Sequence, residues 1–289
     1  MIIKTQNLNT TYMIKRLILF TILITCYAYT NGPYDWIEDL PNPWEIEEKE
    51  FEYYLSEFHA KYPTFNSRLK GINLWRVGTP YGLYCLGEEN EKDQDPIIRY
   101  DSSDCTVHVL TTLAYVKSKT AIEARKNMID IHYKLNEDNK KVPSYDFRWH
   151  FTSDRILNHP LMLDITSSLI DSSKIENVIV ELNKKNNGEL FLDIGWSSRE
   201  NIGFIPSRLI DKVVLSKLPS VCGVAFVKKD YFKLGIVIAH EGYLIDRLDL
   251  IHASSEFGET VNINLLDYLK KDKKYRFDGV LFFEVLPNN

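Results

Sequence analysis

The chain has no excess of positive charge: 35 Lys and Arg stand against 40 Asp and Glu, for a net charge of −5. A protein of that sign does not hold nucleic acid by neutralising phosphates. Nor does it contain an apolar run long enough to span a membrane comfortably; the candidate, Leu17 to Thr25, is too short. Cysteines number four, and neither they nor the seven histidines show a tetrahedral zinc spacing. No metal or other cofactor is therefore expected. What is present is apolar content of 44% over 289 residues, which excludes a disordered or fibrous chain and suffices for a sizeable core.

Met13-Ile-Lys15-Arg16 followed by Leu17–Thr25 has the charged start and short apolar body of a secretory signal, with Cys26-Tyr-Ala28 offering small residues for cleavage. Residues 1–28 are read as that signal, and the protein as exported, periplasmic or secreted. Contact with a membrane is expected only through an uncleaved signal or a lipid on Cys26, where Thr25 departs from the usual small residue of a lipoprotein box. Cleavage removes Lys4, Lys15 and Arg16, so the mature chain is more acidic still. Three cysteines remain, Cys85, Cys105 and Cys222. An odd count points to a free thiol. Either Cys85 and Cys222 pair and leave Cys105 reduced, or all three stay unpaired.

Residues 29–69 read as an extended and helical leader: Pro33, Pro41 and Pro43 mark the extended part. The stretch Trp44–Tyr62 places Ile46, Phe51, Tyr54, Leu55 and Phe58 near one helical face. Residues 70–289 read as the main domain. Ser102, Ser103 and Asp104 are N-capping types just before Cys105, so a helix is expected to begin there, with another over Ala121–Leu135. The C-terminal part turns to short β-branched runs, Val221–Val227, Leu234–Ala239, Arg247–His252 and Gly279–Val285, with His240-Glu-Gly-Tyr read as a hairpin connection. The fold class implied is α+β, a Cys-bearing helix packed on an antiparallel sheet.

A thiol at a helix N-terminus meets unpaired backbone amides and the positive end of the dipole, which favour the thiolate and make Cys105 a candidate nucleophile. The competing reading is an ordinary buried cysteine. His252 ends a strand-like run before Ala-Ser-Ser and suits an orienting group or a base, or else a hydrogen-bonded structural histidine. Arg148-Trp-His150-Phe-Thr-Ser-Asp154 gathers donors, acceptors and aromatics. Arg148, His150 and Asp154 are candidates for holding a sugar or peptide, or for a salt-bridged loop.

At these residues the chain resembles the N-acetylmuramoyl-L-alanine amidase-like family of bacterial exported proteins, a branch of the NlpC-type papain-like cell-wall hydrolases. The matching blocks run in order: Gly78-Thr-Pro-Tyr81 with Leu86-Gly-Glu88, Asp104-Cys105-Thr106, Arg148–Asp154, Phe204-Ile-Pro206, and Leu234-Gly-Ile236 leading to His252-Ala-Ser-Ser255 and Leu266–Leu269. The resemblance implies a papain-like NlpC-type fold from about residue 70 onward. It also implies an amidase that cuts between the muramoyl lactyl group and L-Ala, with peptidoglycan fragments as partners. Cys105 would be the nucleophile and His252 the orienting residue.

The base in this family begins the strand His-Val-Gly-Ile, and this chain has Lys233-Leu-Gly-Ile236 there, after a shortened 228–232 loop. An ordinary Lys titrates at about 10.4 and stays protonated, whereas a general base contributes about 10²–10⁴-fold and needs a pKa near the working pH. His108, one helical turn after Cys105, is a possible rescue base; His240 reads as too far. The alternatives are thus a weakened amidase, or a catalytically inactive muropeptide-binding or protein-interaction module on the same fold.

Overall fold

The computed structural model of the protein describes residues 32–89 and 92–287; the signal segment and Cys26 lie outside them. Two compact units divide the chain at Leu40/Pro41. Of the first, the described residues form a 3-10 turn over Asp35–Asp39. The second holds everything that follows.

In the second unit three helices come first. α1 (Glu48–Lys61) buries Phe51, Leu55 and Phe58, and Phe51 stacks on Trp75 at 5.1 Å and on Tyr100 at 5.0 Å. α2 (Phe65–Trp75) is capped by Thr64, whose hydroxyl accepts from the Ser67 amide. The boundary expected at residue 70 therefore falls inside a continuous helix, and the leader helix belongs to the same unit as the sheet. α3 (Cys105–Val116) begins within the expected span of Ser102 to Cys105, because Asp104 accepts the Val107 amide at 2.9 Å. Its body is buried almost throughout. α4 (Ala121–His132) and α5 (Thr152–Asn158) complete the layer.

An antiparallel sheet follows, in the order β2-β3-β10-β4-β5-β6-β7, with β1 beside β10. The strands are β1 (Met162–Asp164), β2 (Glu176–Leu182), β3 (Ser198–Pro206), β4 (Val221–Val227), β5 (Ile238–Ile245), β6 (Asp249–Ser254), β7 (Glu259–Asn264) and, after the small hairpin β8 (Lys270–Lys271) and β9 (Lys274–Tyr275), β10 (Gly279–Val285). α3 lies across β5 on one face, where the Tyr243 hydroxyl donates to the Val109 carbonyl at 3.2 Å. The other face carries a cluster of Cys222, Val224, Phe226, Leu244, Leu250 and Phe282, closed by Leu265, Tyr268 and Leu269. The α+β class is observed.

The hairpin expected at His240–Tyr243 is the middle of β5. The turn lies further on, at Asp246 and Arg247, both left-handed with φ of 49° and 67°. The strand expected over Leu234–Ala239 is broken by Gly235 at φ 73°; before it, Lys229–Leu234 coil as a 3-10 helix. Only glycine takes that conformation freely, and a Cβ there would meet the Lys184 nitrogen at 2.5 Å. Cys85 and Cys222 are free thiols, so the pairing considered above is not formed.

Gly223 on β4 faces Phe283 on β10, and a Cβ at Gly223 would lie 2.0 Å from the ring. Gly223→Ala is expected to destabilise by about 1–3 kcal/mol through overpacking. The effect should appear as a lower urea midpoint at unchanged m; an unchanged midpoint would show that the Phe283 ring moves freely.

Candidate active site

Asp104 shapes the start of α3. One carboxylate oxygen accepts the Val107 amide and the other the Tyr84 amide, at 2.9 and 3.1 Å. The second bond holds Tyr84 in a left-handed conformation (φ 54°) with its side chain 78% exposed at the rim. Cys105, next in sequence, is half-buried and faces the backbone N–H of Glu241 on β5. That amide is free because the β5–β6 ladder runs only from Tyr243↔Ile251 to Ile245↔Asp249 and stops short of Gly242. The thiol lies where the two strands part.

Residues 240 and 241 point to opposite faces of β5. Glu241 turns toward the helices, where its carboxylate accepts the hydroxyls of Thr106 (2.8 Å) and Thr152 (2.9 Å) and pairs with Arg155, a fully buried ion pair. His240 turns toward the aromatic cluster and stacks on Phe226. Its Nε2 lies 2.7 Å from Nδ1 of His252. The Tyr268 ring packs 4.6 Å from that of His252 and also senses the charge state of Cys105.

Electrostatically the site is neutral at rest. Burial, then Asp104 and Glu241, push the Cys105 thiol up to about 12, against the Glu241 N–H and the Thr106 hydroxyl, which favour the thiolate. Burial also holds His252 down at about 4 and His240 well below its ordinary value, with His252 and Arg276 adding to the latter. The lowered thiol pKa expected from the helix terminus is therefore reversed. Two carboxylates and desolvation outweigh the helix N-terminus.

The other expected residues stand elsewhere. Lys233 is not on a strand beside Cys105. It lies in the last turn of the 3-10 helix, its carbonyl accepts the Asn186 amide at 2.9 Å, and it lines a groove of about 490 Å³ with Val178–Glu181 of β2, at the far side of the sheet from β6. His108 is wholly buried, bonded through Nε2 to Asn73 at 3.0 Å, and held well below its ordinary pKa by burial and Arg76. It is a core group rather than an open base. Arg148 is consumed by Glu88 and by Asp93 at 2.8 Å. His150 is bonded to the Tyr145 carbonyl at 2.6 Å, and Asp154 to Lys134 at 2.5 Å. These three form the salt-bridged loop that was the competing reading.

Sequence reasoning missed Arg155 and Glu241, and placed His240 in a turn. Continuous alternation from Ile238 to Ile245 would have put His240 on a strand; no local pattern marks the Arg155–Glu241 pair. Among the described residues no cluster of three or more His, Cys, Asp or Glu could hold a metal ion.

All seven histidines lie below their ordinary pKa, each chiefly through burial, with His150, His159 and His252 at about 4. In the unfolded chain they titrate near ~6.5. The unfolded state therefore binds more protons below that value, and stability is lost as pH falls from ~6.5 toward ~4. Thermal scans should show Tm falling steeply across this window; a flat Tm there would mean that the imidazoles titrate normally in the fold.

Comparison with known proteins gives the family context. A sequence model of the N-acetylmuramoyl-L-alanine amidase-like (AmiA-like) family matches residues 73–279. No curated protein matches the chain. Among solved structures, a protein of Legionella pneumophila is similar with a TM-score of 0.67 and 23% identity, over 83% of this chain and 96% of that one. An N-acetylmuramoyl-L-alanine amidase from Bacteroides uniformis is similar with a TM-score of 0.53 and 20% identity, over 76% of this chain and 99% of that one. These two likenesses show a shared fold.

Proposed function

The chain belongs to the N-acetylmuramoyl-L-alanine amidase-like family, and from that membership we propose that it is an exported, NlpC-type papain-like cysteine amidase acting on the lactyl–L-Ala amide of peptidoglycan fragments. Cys105 is the nucleophile. His240 takes the part that sequence comparison alone had given to Lys233, and His252 orients it. The observation that carries this reading is the 2.7 Å contact between the two imidazoles, one residue along β5 from the amide that faces the thiol.

Shared between Nε2 of His240 and Nδ1 of His252, one ring proton fixes the tautomer. With His252 accepting, the Nδ1 lone pair of His240 is left as the base. The Cys105 sulfur attacks the amide carbonyl, its proton passes to His240, and the C–N bond breaks as that proton moves to the leaving nitrogen of L-Ala. Water then cleaves the thioester and restores the thiol. The helix N-terminus and the free Glu241 N–H favour the negative oxygen formed in each half. Because the thiol is held near 12 and both imidazoles low, the resting pair is neutral, and proton transfer must accompany attack rather than precede it.

A second reading has one observation in its favour. Two carboxylates beside the thiol, Asp104 and Glu241, oppose thiolate formation, and a muropeptide-binding module without turnover would tolerate them.

The test is incubation of the purified protein with muropeptides bearing an intact lactyl–L-Ala bond, followed by mass analysis. Wild type is expected to release free stem peptide, Cys105→Ala none, and His240→Gln about 10²-fold less or lower. Lys233→His should change little, since that residue lies along β2. Binding without cleavage by wild type, with turnover appearing only in Lys233→His, would sink the assignment of His240. Where turnover is seen, kcat/KM should pass through pH 6.5 without an acid limb, because burial holds both imidazoles below their ordinary pKa.

A further inference from the structure

We propose that Glu241 is the positioning residue for Cys105: held by Arg155, its carboxylate ties the first turn of α3 to β5 and fixes the sulfur at the point where β5 and β6 part. The proposal rests on the reading of Cys105 as the nucleophile. Its geometry is that of a three-sided clamp. Thr106, the residue after the nucleophile, donates to Glu241 from α3; Thr152 and Arg155 donate from α5; and the Glu241 main-chain N–H faces the sulfur itself. Two helices thus converge on one side chain that is wholly buried, while its own backbone meets the sulfur.

A carboxylate is an expensive group to place there, since an unpaired buried charge costs several kcal/mol. For packing alone an apolar residue would serve. What a carboxylate adds is directional acceptance of three donors at once, and a negative charge beside the thiol. Besides Glu241, the titratable groups that interact with the thiol are Asp104 at its own helix start, Tyr81 from the preceding loop and Tyr268 from the C-terminal helical turn, and the His240–His252 pair lies on the other face of β5, packed through His252 against Tyr268. Among the described residues Arg155 is the one cation bonded to Glu241, and it takes Oε2, the oxygen that Thr106 and Thr152 leave free. Glu241 therefore both fixes the sulfur and keeps its proton on it, so that the nucleophile is charged only as it reacts.

Residue-resolved alkylation of the whole protein tests this without any substrate, with Cys85 as an internal reference. In Glu241→Gln the amide oxygen still accepts from the threonines while the charge is gone. The rate–pH curve of Cys105 should move down by about one unit, which is about a tenfold faster reaction at pH 8, while Cys85 is unchanged. A purely structural role would alter thermal stability and leave that curve in place. Should Glu241→Gln fail to fold, because it strands the Arg155 charge, the double variant Arg155→Met/Glu241→Gln removes both charges, and the same downward shift is expected. An unchanged curve in either folded variant overturns the proposal. Absence of muropeptide cleavage by wild type would remove the amidase reading and leave this result standing.

Discussion

The site depends on a place where the sheet stops being a sheet. The β5–β6 ladder ends after three residue pairs, and beyond Gly242 each strand carries groups that its neighbour no longer satisfies. A side chain at Gly242 would strike the Ile251 carbonyl at 2.7 Å and the His252 Cβ at 2.9 Å, so glycine is what lets β6 approach at that level before the two strands diverge. The gap exposes the Glu241 amide to the sulfur and brings His240 and His252 together across the opening. Had the ladder continued, the Glu241 N–H would be spent on β6. The helix start and the strands meet there without inserting any loop.

Burial of this meeting point sets its chemistry. The Cys105 thiol, the two imidazoles and the Tyr268 phenol are each poorly solvated, and desolvation penalises the charged form of each. The consequence is that the thiol and both imidazoles are neutral, while the Arg155–Glu241 ion pair stands on the helix side of β5. That pair is tolerated because each charge is matched and hydrogen-bonded. An ion pair on the helix side and neutral groups around the thiol is an arrangement that places polar order close to the sulfur without creating a resting thiolate open to oxidation.

Much of this was legible in sequence. Capping residues before Cys105 located the start of α3 within Ser102–Cys105, the apolar face expected over Trp44–Tyr62 included the three side chains that α1 buries, Phe51, Leu55 and Phe58, and the β-branched runs announced an antiparallel sheet. What could not be read was tertiary. Glu241-Gly242 carries the composition of a turn, yet it runs as strand because both flanks pair with β4; the true turn uses Asp246 and Arg247, whose left-handed conformations no common turn signal marks. Arg148, His150 and Asp154 look like a recognition cluster in one dimension. In three, each has found a partner inside the fold, as a run so rich in donors and acceptors often does.

Lys233 shows how a block alignment and a strand register can disagree. Matching Leu234-Gly-Ile236 to the family pattern aligns the lysine with a catalytic histidine, but alignment fixes only order, and the position of a side chain depends on where pairing begins. Here Gly235 takes a left-handed turn against the Lys184 backbone, and β5 starts at Ile238. The pairing shifts again between Phe226 and Val227, where Phe226 faces His240 and Val227 faces Ile238. The pairing from Phe226↔His240 to Val221↔Ile245 is unbroken, so the face of the imidazole is set there, and the extra residue shifts only Ile238 and what precedes it. Because side chains alternate with a period of two, a block aligned through Leu234-Gly-Ile236 does not carry its register across that residue to His240.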